Sequence, residues 1–431
     1  MDKFAAVATS EHDDACFVLR AETSGSPLVS MPLTLPVPVT GELLLTVEYS
    51  DVNPVDYQKL HGSRGFPLIP GFGGAGRVRT VPVADQLTSA FSPGDRVAFL
   101  ASPSGGSFAS HAVVSAQLCC RLPDVLPLAI AAALPVAGVT AYEALFDRLE
   151  LPRFRSPNIW GDDDGDDDDA AVVAVVHDES YAPAPGITFE PEEEEATDVA
   201  RVLQPPSSPH APTLPAATSP PTLLVIGGAG GVGSFAIGLA RRLSPQIHII
   251  ATASTTASQD RCRSLGAHTV LSAHDGLAAA LGGGPRGATA HDIRWVLNLG
   301  KPSNLGDISE VVSPFARVCL VVSGGSAIQS CDLSFLFFKA CTVVCETVFS
   351  RARNGIDVHR QTGMLEHLVA ISSVSESDDP FLLQSTLAVG ECAAGEGSVE
   401  ASANRVVAAM GQRTRECPGK TVLRLSKYVS K

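Results

Sequence analysis

A glycine-rich turn that follows an apolar run is the part of this sequence best suited to hold a phosphate group. Gly228, Gly230 and Gly233 form the pattern G-x-G-x-x-G directly after Leu223 to Ile226. The first glycine suits a tight turn, the second lets a pyrophosphate approach the backbone, and the third allows a following helix to pack closely. The N-terminal amides of that helix would point at phosphate oxygens. The residues predicted to contact the pyrophosphate are Gly228, Gly230, Gly231, Val232 and Gly233.

The alternative for these glycines is a loop in a low-complexity segment, and the neighbouring residues distinguish the two. Residues 223 to 226 fit a buried parallel strand, and Phe235, Ile237, Leu239 and Leu243 recur as apolar positions of a following helix. A strand, a tight turn and a helix in this order favour a dinucleotide site.

The end of the next strand indicates which dinucleotide fits. Residues 247 to 253 form an apolar run that ends about 20 residues after Gly233, where NAD-binding chains usually carry an acid. This chain has hydroxyls there, beginning with Ser254, and Arg261 follows on the next predicted helix. Hydroxyls and a guanidinium suit a 2′-phosphate, so the sequence favours NADPH. For each residue taken singly, a helix N-cap followed by solvated arginines explains the pattern equally well.

The elements that must position the turn alternate between strands and helices after residue 222. This alternation predicts an α/β fold with a parallel, doubly wound sheet. Before about Pro135, short strands between turn residues predict a mostly β domain instead. A helix is expected over 130 to 149, and a closing strand over 420 to 425. The strand candidates after residue 222 are 223–226, 247–253, 269–271, 295–299, 317–322 and 342–348.

A single acidic segment carries the whole excess charge of the chain. The net charge is −15, and residues 156 to 200 contain nine Asp and six Glu without any Lys or Arg. The remainder is balanced, which gives no basic surface for nucleic acid. The acidic runs and the proline-rich exit predict disorder over most of 152–221. Such a segment suits a basic protein partner, whereas its spacing differs from that of a calcium loop.

Length and composition set the broad class of the protein. The 431 residues are enough for two domains, and their apolar share is that of an ordinary globular protein. We expect no membrane span and no secretory leader, and the ten cysteines lack the spacing of a disulfide framework. The expected location is therefore cytoplasmic, with reduced thiols.

Short motifs follow one another along the chain at residues 52–57, 69–76, 94–97, 106–109, 132–135 with 138–142, the glycine turn, 264–267, 296–300 and 419–423. In this order they resemble the medium-chain dehydrogenase/reductase superfamily, in its zinc-independent quinone oxidoreductase-like branch. Within that branch the chain looks most similar to the zinc-type alcohol dehydrogenase-like subgroup, whose members carry a segment like Phe349-Ser-Arg351.

The resemblance implies two domains in one chain. Residues 1–135 and 375–431 would form a GroES-like β-barrel catalytic domain, and 136–374 a Rossmann domain that binds NADPH. The acidic segment 152–221 would interrupt the Rossmann domain, where relatives commonly have a short connection. Members of the superfamily commonly form homodimers through the edge strand of the Rossmann sheet, so a homodimer is expected.

The positions that bind catalytic zinc in other members of the superfamily carry different residues here. Phe72 stands where those enzymes have the histidine of a G-H-E motif, and Gly73 stands where they have its acid. The segment 53–56 lacks the expected cysteine, and Cys119 and Cys120 are adjacent rather than spaced as zinc ligands. We predict no metal site, and the missing acid at Gly73 raises the prospect of reduced catalytic competence.

Reduction without a metal needs a hydride donor, a positioned electrophilic carbon and a hydrogen-bond donor for the oxygen that gains charge. The resemblance implies that Asn53 orients a substrate carbonyl and that Tyr57 donates to an enolate or quinol oxygen. A simple turn at Asn53 and a core ring at Tyr57 explain these residues equally well. Asp56 is expected to cap the backbone rather than to transfer protons.

The resemblance also implies cofactor contacts beyond the glycine turn. Thr140 matches a position beside the nicotinamide, although a buried or capping threonine is the plain alternative. Asn298, Gly300 and Gly324 lie at predicted strand ends, which face the ligand in such sheets, and a turn is the alternative at Gly324. For Arg351 and Lys420, solvated surface charge is favoured over a phosphate or substrate contact.

Together these features predict an NADPH-dependent reductase of a quinone or an α,β-unsaturated carbonyl. A rival is a binding or regulatory protein that holds NADPH without turnover and uses the acidic insertion to dock a partner; Gly73 and the insertion favour it. A zinc alcohol dehydrogenase is a third alternative, which would contain stoichiometric zinc. The identity of the substrate does not follow from the sequence, because pocket walls come from variable loops.

Overall fold

The computed structural model describes residues 15–63, 65–82, 87–101, 105–153, 219–281, 291–300, 305–321, 333–373, 389–392, 399–412 and 420–425. Residues 154–218, which make up nearly all of the predicted insertion, lie outside the described residues, as does Gly324. The parts of the chain before residue 155 and after residue 218 belong to one compact unit.

Fifteen strands occur among the described residues. Seven of them precede the acidic segment and eight follow it. They are β1 (Ala15–Arg20), β2 (Val29–Thr34), β3 (Glu42–Val52), β4 (Gly73–Thr80), β5 (Arg96–Leu100), β6 (His111–Ser115), β7 (Cys119–Arg121), β8 (Pro221–Ile226), β9 (His248–Ala253), β10 (Thr269–Ser272), β11 (Asp292–Asn298), β12 (Arg317–Leu320), β13 (Thr342–Cys345), β14 (Val389–Cys392) and β15 (Lys420–Arg424).

The helices of the described residues lie mostly in the second half of the chain. They are α1 (Pro54–Leu60), α2 (Leu128–Ala133), α3 (Val139–Glu143), α4 (Gly231–Leu243), α5 (Thr256–Ser264), α6 (Leu277–Leu281), α7 (Leu305–Val311), α8 (Ser334–Phe338), α9 (Ser350–Asn354), α10 (Val358–Ser373) and α11 (Val399–Gln412).

The first sheet is built around the long strand β3. Its order is β14-β15-β3-β4-β5-β7, and β6 also pairs with β3. The closing strand β15 runs antiparallel to β3, with Thr421 opposite Val52 and Leu423 opposite Ser50. The C-terminal end of the chain therefore completes a sheet that the N-terminal region begins. A separate antiparallel pair, β1-β2, is joined to this region by bridges from Val18 to Ala109 and from Ala21 to Leu68.

The second sheet is parallel, as the strand and helix alternation predicts. Its order is β10-β9-β8-β11-β12-β13. Numbered from β8, this order is 3-2-1-4-5-6, that of a Rossmann dinucleotide-binding fold, with the switch point between β8 and β11. All six strand candidates in this region are confirmed. The last one is shorter than predicted, because β13 ends at Cys345 and Glu346 is buried in an ion-pair network.

A continuous helical run from Leu128 to Arg148 connects the two sheets. It consists of α2, α3 and two π-helical turns, Leu134–Gly138 and Ala144–Arg148. A π-turn at Pro135 has a physical cause, since proline lacks the amide that a regular α-helical turn needs.

The same run has the length and composition of a membrane span, which the sequence analysis did not expect. It has 21 residues, and 83% of its apolar window is buried inside the protein. The run packs on β4, α4 and α10. Its apolar composition is therefore explained by burial in the core.

Candidate functional site

The glycine turn between β8 and α4 has the close backbone contacts that the sequence motif predicts. The amide of Gly227, whose φ is +84°, donates to Thr252 Oγ1 at 3.1 Å, and the amide of Gly228 donates to the carbonyl of Thr252 at 3.0 Å. A Cβ at Gly233 would lie 2.5 Å from the carbonyl oxygen of Gly227. Only glycine fits at this third position, because α4 packs directly on the turn.

The start of α4 lies beside Lys420, the first residue of β15. Gly230 is the N-cap, and Gly231 and Val232, the first two helical residues, are half-buried. A Cβ at Gly231 would lie 3.5 Å from Cδ of Lys420 and 3.6 Å from Cβ of Ala137. A pyrophosphate on these amides would therefore lie between the parallel sheet, the long helical run and β15.

The end of β9 supplies fewer free groups than the sequence suggests. Thr255 is the N-cap of α5, and its Oγ1 accepts the amide of Ser258 at 3.2 Å. Ser254 stays exposed, and its carbonyl lies 3.2 Å from Nε2 of His274. Arg261 is only 9% exposed, and its Nε donates to Ser234 Oγ at 3.2 Å. Arg261 thus links α5 to the first turn of α4, close to the glycine turn.

Asn298 ends β11 beside the glycine turn. Its side chain is 1% exposed, and its Oδ1 accepts the amide of Gly300 at 2.9 Å. Its Nδ2 has no hydrogen-bond partner among the described residues. The amide of Leu299 donates to the carbonyl of Ile226, so the two strand ends on either side of the switch point are joined. An unpaired buried amide at this point suits a ligand acceptor.

Thr140 uses its hydroxyl inside the helical run. Its Oγ1 donates to the carbonyl of Val136 at 2.5 Å, and the residue is 5% exposed. The π-turn that begins at Leu134 alters the hydrogen bonding of this stretch, and the hydroxyl satisfies the carbonyl of Val136. The arrangement matches the plain alternative, a buried threonine, while the hydroxyl oxygen can still accept a hydrogen bond.

Asn53 and Tyr57 lie on the short helix α1. Asn53 is the N-cap residue and is 5% exposed. The ring of Tyr57 is half-buried and stacks on the ring of His61, with 4.0 Å between the centroids. The Nδ2 atom of Asn53 has no hydrogen-bond partner in the described part of the chain. The two predicted catalytic residues are thus on one helix, with one buried donor left unpaired.

Asp56 caps the backbone, as the sequence analysis expects. Its carboxylate accepts the amide of Asn53 at 2.7 Å and the amide of Gly71 at 2.8 Å. Complete burial raises the pKa of Asp56 to about 7, although these two hydrogen bonds act in the opposite direction. The carboxylate joins α1 to the segment that leads into β4, and it fixes the helix that carries Asn53.

The interpretation of Lys420 as a solvated surface charge is wrong. The residue is 3% exposed, and its Nζ donates to the carbonyl of Val52 at 3.0 Å and to Asn53 Oδ1. Asp51 Oδ2 lies 3.4 Å away. Burial lowers the pKa of Lys420, and Asp51 and Asp56 oppose this effect. No local sequence signal points to this contact, because Asn53 lies 367 positions earlier in the chain.

Arg351 is also not a surface charge. Its side chain is 11% exposed and forms ion pairs with Glu143 at 2.8 Å, Asp147 at 2.9 Å and Asp357 at 3.3 Å. Glu143 is fully buried and also contacts Arg148 at 2.8 Å. No local pattern predicts this network, since its members are scattered between residues 143 and 357. Glu346 joins the network through Arg148, at 2.8 Å. Burial, and to a smaller extent the neighbouring Glu143, raises the pKa of Glu346.

The region that corresponds to the zinc site of zinc-dependent enzymes in the resembled superfamily is filled by apolar packing. Phe72 is fully buried, and its ring centroid lies 5.2 Å from that of Phe349. A Cβ at Gly73 would lie 3.1 Å from Cβ of Pro135 and 3.2 Å from Cγ2 of Val136. An acid at position 73 would therefore displace its neighbours. Within the described ranges, no group of three His, Cys, Asp or Glu side chains is arranged to hold a metal.

Comparisons with known proteins agree with this architecture. The alcohol dehydrogenase GroES-like domain family matches residues 39–124. A zinc-type alcohol dehydrogenase-like protein of Staphylococcus aureus (strain COL) is 24% identical over 344 residues, which cover 79% of this chain and 80% of that protein. A chloroplastic quinone-oxidoreductase homolog of Spinacia oleracea is 37% identical over 125 residues, or 27% of this chain and 37% of that protein.

A solved structure shares the fold over almost the whole chain. A mycobacterial protein complexed with NADPH is 19% identical and has a TM-score of 0.62, with 95% of this chain and 100% of that chain covered. These matches confirm the resemblance to the quinone oxidoreductase-like branch of the medium-chain dehydrogenase/reductase superfamily. They also confirm the fold class, a GroES-like β domain combined with a Rossmann sheet. The activity that they support is that of an oxidoreductase.

The Gly233→Ala variant tests the close contact between the glycine turn and α4. The added Cβ would collide with the carbonyl of Gly227, so we expect a loss of about 2 to 3 kcal/mol in the free energy of unfolding. The control is Gly306→Ala on α7, where a Cβ meets open space and should stabilise the helix by up to about 1 kcal/mol. Urea unfolding measures both; equal stability of the two variants would contradict the assigned contact.

The buried carboxyl of Asp56 predicts a pH-dependent stability. Its pKa is about 7 in the folded protein and 3.8 in the reference state, so the folded state binds the proton more tightly. Its contribution is complete below about pH 4 and is lost as the pH rises through 7, by roughly 1.4 kcal/mol per pH unit. Asp56→Asn should remove this decline in unfolding curves between pH 5 and 7. The exposed control Asp275→Asn should retain it, and a decline that persists in Asp56→Asn would refute the assignment.

Proposed function

We propose that this chain is an NADPH-dependent oxidoreductase that transfers hydride to a quinone or an α,β-unsaturated carbonyl without zinc. The observation that carries the proposal is the buried Nδ2 of Asn53, which has no hydrogen-bond partner within the described ranges of the chain. The oxygen of the same amide bonds Lys420, whose Cδ lies beside Gly231 at the start of α4. A donor near the glycine turn suits an oxygen that becomes negatively charged during reduction.

The residues at the glycine turn fit a dinucleotide. The backbone amides at the start of α4 suit a pyrophosphate. Gly233 lets α4 pack directly on the turn, because a Cβ there would collide with the carbonyl of Gly227. At the adjacent strand end, Asn298 Nδ2 is buried with no hydrogen-bond partner in the part of the chain that the structure describes, and it suits a ribose or nicotinamide acceptor. The absence of an acid at Ser254 favours NADPH, and a relative of the same fold has been solved with NADPH.

The cofactor, when bound, supplies a hydride, and the protein's own residues do the remaining work. Asn53 Nδ2 donates to the carbonyl oxygen of the substrate and stabilises the charge that develops there. Tyr57 lies one turn further along α1, and its hydroxyl supplies a hydrogen bond and then a proton to the enolate or quinol oxygen. Phe72 and Phe349 occupy the region of the zinc site in related enzymes, so the amide takes over the polarising role of the metal.

The rival proposal is an NADPH-binding protein without turnover. Gly73 favours it, because Pro135 and Val136 close the space in which an acid would line the cleft. In this case the acidic insertion would dock a basic protein partner, and the insertion's charge would dominate that binding. Both alternatives place the protein in the cytoplasm, and neither involves a membrane or nucleic acid.

We also propose a homodimer through β13. This strand lies at one end of the parallel sheet, so among the described residues its outer backbone groups face no other strand. Val343 on β13 is 37% exposed, and Phe337 and Phe338 on α8 are 80% and 81% exposed. A second copy could extend the sheet at this edge and cover the two rings.

The proposed reaction is tested by NADPH binding and by NADPH oxidation against a panel of quinones, enals and enones. Asn53→Ala should lower kcat/KM by about 100-fold through loss of the oxyanion donor, and Tyr57→Phe by about tenfold or more through loss of the proton donor. Lys59→Met, on the exposed face of α1, is the matched control and should have no effect. Tight NADPH binding without oxidation of any substrate would support the rival; failure to bind NADPH would overturn both.

The dimer is tested by sedimentation equilibrium of the full chain. Phe337→Asp combined with Phe338→Asp should convert a dimer to a monomer, because two charges cannot be buried in an apolar contact. Val125→Asp is the control, since Val125 is 68% exposed on the loop before α2. A native chain that is monomeric at micromolar concentration, or a double variant that remains dimeric, would contradict the proposed interface.

A further inference from the structure

We propose that Lys420 is a positioning residue for the reduction, and that it acts by fixing the amide of Asn53 so that Nδ2 faces the substrate. The inference rests on the proposed function and adds to it a residue from the last strand of the fold. Lys420 opens β15, which is separated from Asn53 by more than 360 positions of sequence.

The chemistry of the two side chains determines which atom of the amide faces the lysine. Lysine has three N–H donors and no acceptor, so only the oxygen of an amide can face its Nζ. The hydrogen bond from Lys420 to Asn53 Oδ1 therefore fixes the orientation of the amide. The NH₂ group must point away from the ammonium, and its nitrogen, Nδ2, has no hydrogen-bond partner among the residues that the structure describes.

The unpaired state of Nδ2 indicates a ligand. Asn53 is 95% buried, and a buried donor without an acceptor is costly to a folded protein. If the amide could rotate freely, either of its polar atoms could turn toward the substrate. A lysine on the other side removes this ambiguity and leaves a donor ready for a carbonyl oxygen.

Asp51 is the counter-ion of the buried lysine. It is fully buried, and its Oδ2 lies 3.4 Å from Nζ of Lys420. The charged groups that act on Lys420 are Asp51 on β3 and Asp56 on α1, and the carbonyl of Val52 accepts a hydrogen bond from Nζ. The ammonium is thus surrounded by acceptors from β3 and α1, which hold it against the amide.

A direct contact with the cofactor is the competing role for Lys420. The residue reaches the start of α4, since its Cδ would lie 3.5 Å from a Cβ at Gly231. It is the aliphatic stem that lies there, however, while Nζ is engaged by Val52, Asn53 and Asp51. The ammonium of Lys420 therefore contacts the side-chain amide of Asn53, and the backbone N–H groups of α4 are the ones that suit the phosphates.

A double-mutant cycle separates these roles. Lys420→Met, Asn53→Ala and the combined variant are compared with the native full chain for kcat, KM and the dissociation constant of NADPH. We expect Lys420→Met to lower kcat by about tenfold to 100-fold through misplacement of the donor. In the Asn53→Ala background the same change should have no further effect on kcat, and the dissociation constant of NADPH should not change in either background. Lys420→Arg should restore part of kcat.

The contrary outcomes are distinct. Equal losses of kcat in both backgrounds, or weaker NADPH binding after Lys420→Met, would overturn the positioning role, the latter in favour of a phosphate contact. Lys59→Met is the matched control for loss of a lysine. If the native chain binds NADPH but reduces nothing, the proposed function fails. The contact between Lys420 and Asn53 is then tested without activity, by measuring the urea unfolding midpoints of the same three variants. Additive shifts of the midpoint would show that the two side chains do not interact and would overturn the proposed contact.

Lys420→Met leaves the buried Asp51 without its counter-ion and can prevent folding. Asp51→Asn combined with Lys420→Met removes both charges and provides the second variant. It should fold, and it should show the same loss of kcat, because the amide of Asn53 is again free to rotate. A native kcat in this folded double variant would overturn the proposal.

Discussion

The burial of Lys420 connects the parts of the candidate site. Its ammonium bonds Val52 and Asn53 and lies 3.4 Å from Asp51, while its stem lies beside Gly231. A buried ammonium is stable only where acceptors surround it, so the end of the chain must lie against β3 and α1. The same constraint brings the helix that carries Asn53 close to the glycine turn. One electrostatic requirement thus links the two sheets at the position where the chemistry is proposed.

A second buried network performs a comparable task away from the glycine turn. Glu143 is fully buried on the helical run and binds both Arg148 and Arg351. The run passes from the first sheet to the second, and Arg351 anchors α9 to it. Phe349 directly precedes α9 and packs on Phe72. The ion pairs of Arg351 therefore support this apolar contact, which occupies the position of the zinc site in zinc-dependent relatives. Breaking one partner of such a network leaves an uncompensated buried charge.

Much of the fold could be predicted from local patterns. The strands of the parallel sheet were found because each is a short apolar run, and the glycine turn because Gly233 must be small for α4 to pack. The cap at Asp56 can also be predicted from the local sequence. The buried roles of Arg351 and Lys420 cannot, since long charged side chains are usually exposed and their partners lie far away in sequence. The helix over this part of the chain follows from its apolar pattern. Its 21-residue length as one apolar run is not evident from the sequence, because glutamate, aspartate and arginine interrupt it near its end.

The sequence by itself determined the parallel, doubly wound sheet, the phosphate-binding turn and the lack of zinc-ligand residue types at the positions that match the zinc site of the resembled superfamily. These features depend on residue type and short spacing. The tertiary structure decided which polar groups are buried together. Lys420 meets Asn53 only because β15 pairs antiparallel with β3, and Arg351 meets Glu143 only because α9 packs on the helical run. Neither contact has a local sequence signal, since each forms when distant segments lose water and their charges must find partners inside the protein.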